Sequence, residues 1–401
     1  MDNPKSKTQN LKSEADLLKD QLIAWRRDFH RHPELGFQEF RTSGIVAKYL
    51  SSLGLEVQTG IGQTGVVGLL EGSRPGPVVM LRFDMDALPI HELNQTDYVS
   101  ENAGVMHACG HDAHTAIGLG IAQLLTKRRE ELAGTIKFVF QPGEEGCGGA
   151  LAMIADHVLE NPRPDVALGL HVWNDQPLGL LAAGNGGVMA AADIFTIKVQ
   201  GQGGHGAQPH LCVDATLIAS QIVVALQSIV ARNVNPRQTA VVTVGAIHAG
   251  TAFNVIADTA ELKGTIRTFD ATTRAGIVHR LSEVVESTAR ALGGRASIEI
   301  KVISPATVND ERVAQLVRET AIEMLGAEHV TADQLTMTAE DMSEFLSQVP
   351  GCFFFIGSAN AAQGLNAPHH NPRFDIDEAV LPLGVAVLAE AAWRYGKTTT
   401  D

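Results

Sequence analysis

The sequence is poor in cysteine, in basic charge and in long unbroken apolar runs, and each shortage closes off a class of protein. Its four cysteines, Cys109, Cys147, Cys212 and Cys352, are widely scattered among 401 residues and form no Cys-x-x-Cys pair. In a chain this large without a leader, that pattern favours reduced thiols and a cytoplasmic address over a disulfide framework. Lys and Arg number 31 against 45 Asp and Glu, a formal net charge of -14. Such a surface repels phosphates, so neither nucleic acid nor an anionic membrane is an expected partner. The longest apolar stretches are expected to be interrupted by Gly, Pro or charge well before they could span a bilayer. Met1 to Lys12 is polar and lacks the apolar centre of a signal peptide. Gly-x-Ser-x-Gly is missing too, and no serine stands out beside a base, which leaves little support for a serine hydrolase.

What is present is an ordinary globular balance, 45% hydrophobic and 19% charged, in a chain long enough for two domains. Apolar residues recur at helical spacing from Leu11 to about Arg31, where Pro33 stops the run, and again from Phe40 to Leu53, closed by Gly54. Strand-like runs follow at 77–81, 135–140 and 166–170, with a helix expected over His114 to Leu132. Buried apolar strands separated by helices predict an α/β domain with a mostly parallel sheet flanked by helices. Near Ala190 the texture changes. Strands at 194–199, 239–247, 260–268 and 296–302, with helices at 213–230 and 273–292, give the order of an α+β ferredoxin-like unit. The expected organisation is a discontinuous catalytic domain, 1–190 and 305–401, carrying an inserted domain, 191–304.

The acidic and imidazole residues fall just past the strands. Asp84 and Asp86 follow the first run, Glu144 and Glu145 the second, and His171 the third. In an open parallel sheet, ligands sit outside the carboxyl ends of the strands, so three neighbouring strands would deliver these groups to one edge. The same edge is expected to receive His107-Ala108-Cys109-Gly110-His111-Asp112-Ala113-His114, where the intervening Gly lets Cys109 and His111 face one point. His369 and His370 lie in a Pro-bounded loop near the other end of the chain. Thiolate, imidazole and carboxylate together suit Zn²⁺, Mn²⁺, Co²⁺ or Ni²⁺ better than Mg²⁺ or Ca²⁺. Taken singly, each residue has a plainer reading: Cys109 as a small buried hydrophobe, the Glu pair as a solvated turn, His171 as a core histidine. His107 and His114 fit a structural role as well as a catalytic one, and Asp84 is placed to hold backbone or Arg82. Gly201-Gln202-Gly203-Gly204-His205-Gly206 matches a dinucleotide fingerprint only formally, because no helix opens at the loop.

Taken together, His32-Pro33-Glu34-Leu35-Gly36, Arg82 to Pro89, His107 to His114, Gln141 to Glu145, Gly203-Gly204-His205 and His370-Asn371-Pro372 resemble the M20 metallopeptidase/amidohydrolase family. The similar branch holds hippurate hydrolases, bacterial N-acyl-amino-acid amidohydrolases and plant auxin-conjugate hydrolases (M20D). The resemblance implies two divalent ions per subunit, Mn²⁺ or Zn²⁺ foremost, bridged by Cys109 and held among His111, Glu145, His171 and His370. It implies Glu144 as general base, Asp86 orienting a ligand imidazole, and His205 polarising the scissile carbonyl in its own or a partner subunit's site. Asn254 and Arg267 are the candidates for gripping substrate. His370 is chosen over His369 because the family's ligand directly precedes Asn-Pro. The start Asp84-Met85-Asp86 departs from the His-x-Asp of other branches, which leaves the partition of ligands between the ions open. The implied reaction is cleavage of an N-acyl-L-amino acid, in a homodimer or homotetramer built through the lid domain. Within the fold the rivals are a dipeptidase or carboxypeptidase and an N-acetyl-diaminopimelate deacetylase. A non-catalytic binding scaffold would be expected to have lost a ligand or Glu144.

Overall fold

The computed structural model describes residues 4–398, with side chains from Leu11 to Lys397. Met1 to Asn3, part of the polar N-terminal stretch, lie outside the described residues. The chain divides into two compact units, and each is described by itself. The first comprises 1–186, 308–335 and 341–401; the second comprises 187–307 with 336–340, slightly wider at each end than the 191–304 expected.

The first unit is built on an eight-stranded mixed sheet. Its centre is four parallel strands in the order Ala133–Gln141, Arg74–Asp84, Val166–Pro177 and Gly351–Ala359. These are buried along most of their length, as strands covered on both faces must be, and so they read as continuous apolar runs. Antiparallel pairing borders them on both sides. On one side lies the hairpin Glu56–Ile61 and Gly65–Glu71; on the other, Leu181–Ala182 runs antiparallel to Gly351–Ala359. Glu56–Ile61 has a polar, largely exposed pattern, and periodicity gives no sign of it.

Helices cover the sheet. The single N-terminal helix expected over Leu11 to Arg31 is two helices, Pro4–Leu17 and Lys19–Arg31, broken at Leu18. The second buries Leu22, Arg26, Phe29 and His30, a stripe at helical spacing that includes two charged or titratable groups. The helix expected from His114 to Leu132 runs instead from His111 to Thr126, so that His111 lies in its first turn. This helix is buried on nearly every side. At Gly118 an added Cβ would stand 2.8 Å from the rings of Phe83 and Phe140, and at Gly120 it would stand 2.7 Å from Leu22 Cδ2. Two glycines let the helix seat directly on the sheet below and on the N-terminal helix above.

The second unit carries an antiparallel sheet in the order Ala240–Ala249, Thr259–Thr268, Ala191–Gln200, Arg295–Ser304. Two helices, Ala215–Asn233 and Ala271–Ala291, pack on it, each started by an aspartate, Asp214 or Asp270, whose carboxylate accepts first-turn N–H groups. One expectation fails here. Ala215–Asn233 runs from Ala215 to Ala231 without Gly, Pro or charge, and by length and composition it could cross a bilayer. Its buried stripe of Ile218, Ala219, Ile222, Leu226 and Ile229 packs in the unit's own core, the signature of an amphipathic core helix.

Gly118→Val tests the close seating of the buried helix. Overpacking of this kind costs about 1–3 kcal/mol or more, so urea unfolding is expected to show a lower midpoint with an unchanged slope. A wild-type midpoint would mean that the helix can lift without cost.

Candidate metal centre

Register places the chemistry. Asp84 pairs with Gln141 across the two central parallel strands, and Arg82 pairs with Gly169. Residues just beyond these pairs, Asp86, Glu144, Glu145 and His171, therefore emerge at one edge, as the strand ends suggested. His171 is not past its strand, which continues to Pro177, but it lies past the last pairing with Arg74–Asp84. Gly110 precedes the buried helix with φ 89°, and a Cβ there would fall 2.4 Å from Val172 Cγ2. Only glycine fits, and the sharp reversal turns Cys109 and His111 towards the same point. His370 comes from the far end of the chain with φ 64°, its N–H donating to Ala108 O at 2.8 Å.

The donor atoms converge. Those of Cys109, His111 and His171 lie within 4.8 Å of one another, as do those of Cys109, Glu145 and His370, and those of His111, Glu144 and Glu145. Cys109 Sγ stands 3.6 Å from His171 Nε2. A sulfur at about 2.3 Å and a nitrogen at about 2.1 Å from one tetrahedral ion are about 3.6 Å apart. His370 Nε2 stands 3.2 Å from Glu145 Oε1.

Backbone partners sort the imidazoles, because a peptide N–H can only donate and a carbonyl can only accept. His111 Nδ1 meets Asp86 O at 2.9 Å and His171 Nδ1 meets Val172 O at 2.6 Å. Both therefore carry the proton on Nδ1 and keep the Nε2 lone pair. His111 Nε2 is buried without a hydrogen-bond partner. His114 and His369 are the reverse. Val172 N donates to His114 Nε2 at 2.9 Å, and Asn174 N donates to His369 Nε2 at 3.1 Å. The remaining proton of His114 goes to Asp84 Oδ1 at 2.6 Å, while His369 Nδ1 faces Cys109 Sγ at 3.8 Å. Two rings thus offer lone pairs to the cluster, and two have spent theirs on the main chain.

The field at the cluster favours a cation. Burial lowers His111, yet Asp84, Asp86 and Glu145 outweigh it and push the imidazole up to about 10. A proton or a metal ion on Nε2 answers the same negative surroundings. Burial, Glu145 and Glu144 push the Cys109 thiol well up, so its thiolate needs a cation beside it. Asp86 accepts from both neighbours: its Oδ1 lies 3.3 Å from His111 Nδ1, and its Oδ2 receives Glu145 N–H at 3.0 Å. The orphaned imidazole nitrogen of His111, the tetrahedral spacing and the negative field all fit a divalent ion.

Beneath this layer Asp84 holds Arg82, one of the two partners expected for it, and Asp341 and Arg26 lie there as well with no motif to single them out. Arg82, almost fully buried, donates to Asp84 Oδ2 at 2.6 Å, Gln141 Oε1 at 2.8 Å and Asp341 Oδ1 at 3.0 Å. Asp341 also accepts from Ala150 N at 2.9 Å, fixing the turn that carries the two glutamates. Arg26 plays a similar part beneath Asp112 and Asp375. Its place on the apolar stripe of its helix was the signal available. The segment His32 to Gly36 does not reach the cluster. The carboxylate of Glu34 instead accepts from Arg41 N at 2.9 Å and Thr42 N at 2.8 Å, starting the helix Phe40–Ser52.

His205, Asn254 and Arg267 all belong to the second unit. His205 Nδ1 accepts from Ala207 N at 3.0 Å, so its exposed Nε2 carries the proton and is a donor. Asn254 is its neighbour across the short pairing of His205 with Val255, its carbonyl accepting from Gly206 N at 2.8 Å. Arg267 is not brought beside them. It lies near the end of the strand Thr259–Thr268, eight residues on from Thr259, roughly 26 Å at strand rise.

A model of Peptidase family M20/M25/M40 matches residues 80–394. The chain belongs to this family. It is 39% identical over 391 residues to Thermostable carboxypeptidase 2 of Saccharolobus solfataricus, covering 96% of this chain and 98% of that protein. It is also 39% identical over 378 residues to the N-acetyl-L-cysteine deacetylase of Bacillus subtilis, covering 94% and 88%. The crystal structure of the YXEP protein of Bacillus subtilis, described as a dinuclear metal-binding peptidase of the M20 family, matches with TM-score 0.85 and 32% identity over 96% of this chain and 99% of that one. This M20 protein is therefore a metal-dependent hydrolase of amide bonds.

The imidazole sorting can be checked by metal content after gel filtration. His370→Asn is expected to lose bound metal, whereas His369→Asn is expected to retain it with affinity weakened about tenfold, the usual loss for a group that supports a ligand. Equal loss in both variants would overturn the distinction.

Proposed function

We propose that this M20 hydrolase cleaves N-acyl-L-amino acids, hippurate-like or N-acetylated, to a carboxylate and a free amino acid, using two divalent ions, Mn²⁺ or Zn²⁺ in preference to Co²⁺ or Ni²⁺. The observation that carries the reading is the shared thiol. Cys109 belongs to two overlapping donor groups, one with His111 and His171 and one with Glu145 and His370, while Glu144 stands beside them. When bound, such a metal pair supplies an acidified water and polarises the scissile carbonyl.

The chain's own residues then divide the remaining work. Glu144 is the proposed base, taking the proton of the attacking water and handing it to the leaving amine. Asp86 holds the ring of His111 and the backbone of Glu145, keeping a ligand on each side in place. His205 arrives with its Nε2 proton fixed by its own backbone, ready to donate to the oxyanion. Arg267 is part-buried and has no carboxylate in ion-pair reach among the described residues, which supports a grip on the substrate carboxylate; because it stands far along its strand from His205 and Asn254, those two would meet the same substrate from a partner subunit. The second unit is the proposed lid and dimerisation surface. Four unpaired cysteines support the cytoplasmic address.

A relative named for deacetylation of an N-acetyl amino acid favours this substrate class. A relative named as a carboxypeptidase keeps peptide hydrolysis as the second reading. A panel of hippurate, N-acetylmethionine, N-acetylcysteine, dipeptides and N-acetyl-diaminopimelate separates them. Free amino acid released from the N-acyl compounds, abolished by chelation and restored by metal, is the expected result. Release from dipeptides alone would transfer the enzyme to the peptidase reading.

Adjacent glutamates give the sharper test. Glu144→Gln is expected to keep its metal and lose activity by about 10²–10⁴-fold, the contribution of a positioned general base. Glu145→Gln is expected to lose metal first. A near-normal rate in Glu144→Gln would remove it from the mechanism.

A further inference from the structure

The buried guanidinium of Arg26 is not used by any step above, yet it touches the two segments that carry His111 and His370. Its Nε donates to Asp112 Oδ2 at 2.8 Å, one residue past His111 in the first turn of the buried helix. Its Nη2 donates to Asp375 Oδ1 at 2.7 Å, five residues past His370. Its Nη1 lies 3.4 Å from Glu378 Oε1. No part of the Arg26 side chain is exposed. Both carboxylates are held from a second side as well. His30 Nδ1 lies 2.7 Å from Asp112 Oδ2, and its Nε2 lies 3.1 Å from Glu92 Oε1. Tyr98 donates to Asp375 Oδ2 at 2.7 Å.

Asn174 Nδ2 ties the His370 loop to the sheet edge through Ala367 O at 2.8 Å and Asp375 O at 3.0 Å, but Arg26 is the side chain that bonds to both segments at once. They are more than 250 residues apart in sequence, and the direct main-chain link is His370 N to Ala108 O at 2.8 Å. His370 itself sits at φ 64°, a conformation an L residue leaves unless its surroundings hold it. A planar fork with two arms in fixed geometry can set a distance; a single ammonium cannot.

We infer that Arg26 is a positioning residue: it holds the His111 helix start and the His370 loop at the separation that lets both imidazoles serve one metal centre. The inference rests on the reading that His111 and His370 hold metal. It assigns to a helix far upstream of the family-matched segment a share in metal retention that no ligand motif contains.

Metal affinity is the measurement, by competition of Zn²⁺ or Mn²⁺ against a chromogenic chelator, beside circular dichroism and thermal unfolding of each protein without added metal. Arg26→Gln and the nearly isosteric Asp375→Asn are expected to weaken metal binding by about tenfold to a hundredfold, as loss of ligand-supporting contacts does. Arg26→Lys keeps the charge without the fork and is expected to fall between them and the wild type. Arg128→Gln, which breaks the ion pair with Glu14 elsewhere, controls for general destabilisation and is expected to bind metal normally. If Arg26→Gln does not fold, Asp375→Asn and Arg26→Lys decide. Wild-type affinity in both of those variants would overturn the inference while leaving the metal reading intact, and so would wild-type affinity in Arg26→Lys alone, since charge without geometry would then suffice. A wild-type protein that binds neither metal would instead remove the reading on which the inference stands.

Discussion

Buried charge must be answered by buried charge, and most of the architecture around the metal centre follows from that constraint. Asp84, Asp112, Asp341 and Asp375 all lie beneath the donor cluster with little or no exposure. Left unpaired, each would be neutral or would unfold its surroundings. Two arginines, Arg26 and Arg82, are correspondingly interior, and each joins elements far apart in sequence. Replacing such pairs by apolar side chains is often neutral for stability, whereas losing one partner costs about 3–5 kcal/mol. Net stability is thus a poor account of why they are there. What they provide is direction: an arginine fork admits one arrangement of the carboxylates it joins, and the two joined by Arg26 sit one and five residues from the candidate ligands His111 and His370. Burial pushes Asp112 up, but Arg26 and His30 outweigh it and hold the carboxylate far below its usual range.

The main chain supplies a second kind of direction. Crowding several imidazoles around one thiol would give several competing ligands if all were equivalent. They are not equivalent, because His111, His114, His171 and His369 each have one ring nitrogen committed to a peptide group. Val172 serves two of them, accepting from His171 through its carbonyl and donating to His114 through its N–H. The choice between ligand and supporter is therefore made by strand geometry rather than by residue type. The same logic extends to His205, where Ala207 N fixes a donor at the exposed end of the ring.

That logic also marks the limit of what could be read from the chain alone. Strand ends were legible because a parallel strand buried on both faces is an unbroken apolar run, and the polar residues that follow stand out. Gly110 was legible because Cys109 and His111 can share a point only across a residue free of Cβ. His369 was not separable from His370 by composition; only Asn174 N, 195 residues away, spends its lone pair. Arg26 was hidden for the opposite reason. A helix pattern of Leu22, Phe29 and their neighbours absorbs one cation as a solvated exception, and its partners are 86 and 349 residues distant. The hairpin from Glu56 was missed since its first strand is polar and exposed, held by pairing rather than by a buried face. The break at Leu18 and the early start at His111 are boundary effects, but the second of these carries consequence. It puts His111 and Asp112 in the first helical turn, where an acidic side chain is favoured and the ring direction is set by the helix.

The arrangement separates two tasks that amide hydrolysis must combine. Candidate ligands, their supports and the proposed base all belong to the first unit, on a rigid sheet edge backed by buried ion pairs. The proposed substrate-gripping groups, His205, Asn254 and Arg267, belong to the second. An interaction raises the rate only where it is stronger in the transition state than with bound substrate. When the oxyanion donor comes from a separately folded unit, its contribution depends on the substrate being in place. Metal retention can then be held constant by the first unit while the strands and loops of the second vary. Family relatives named as a deacetylase and as a carboxypeptidase are what such a division permits.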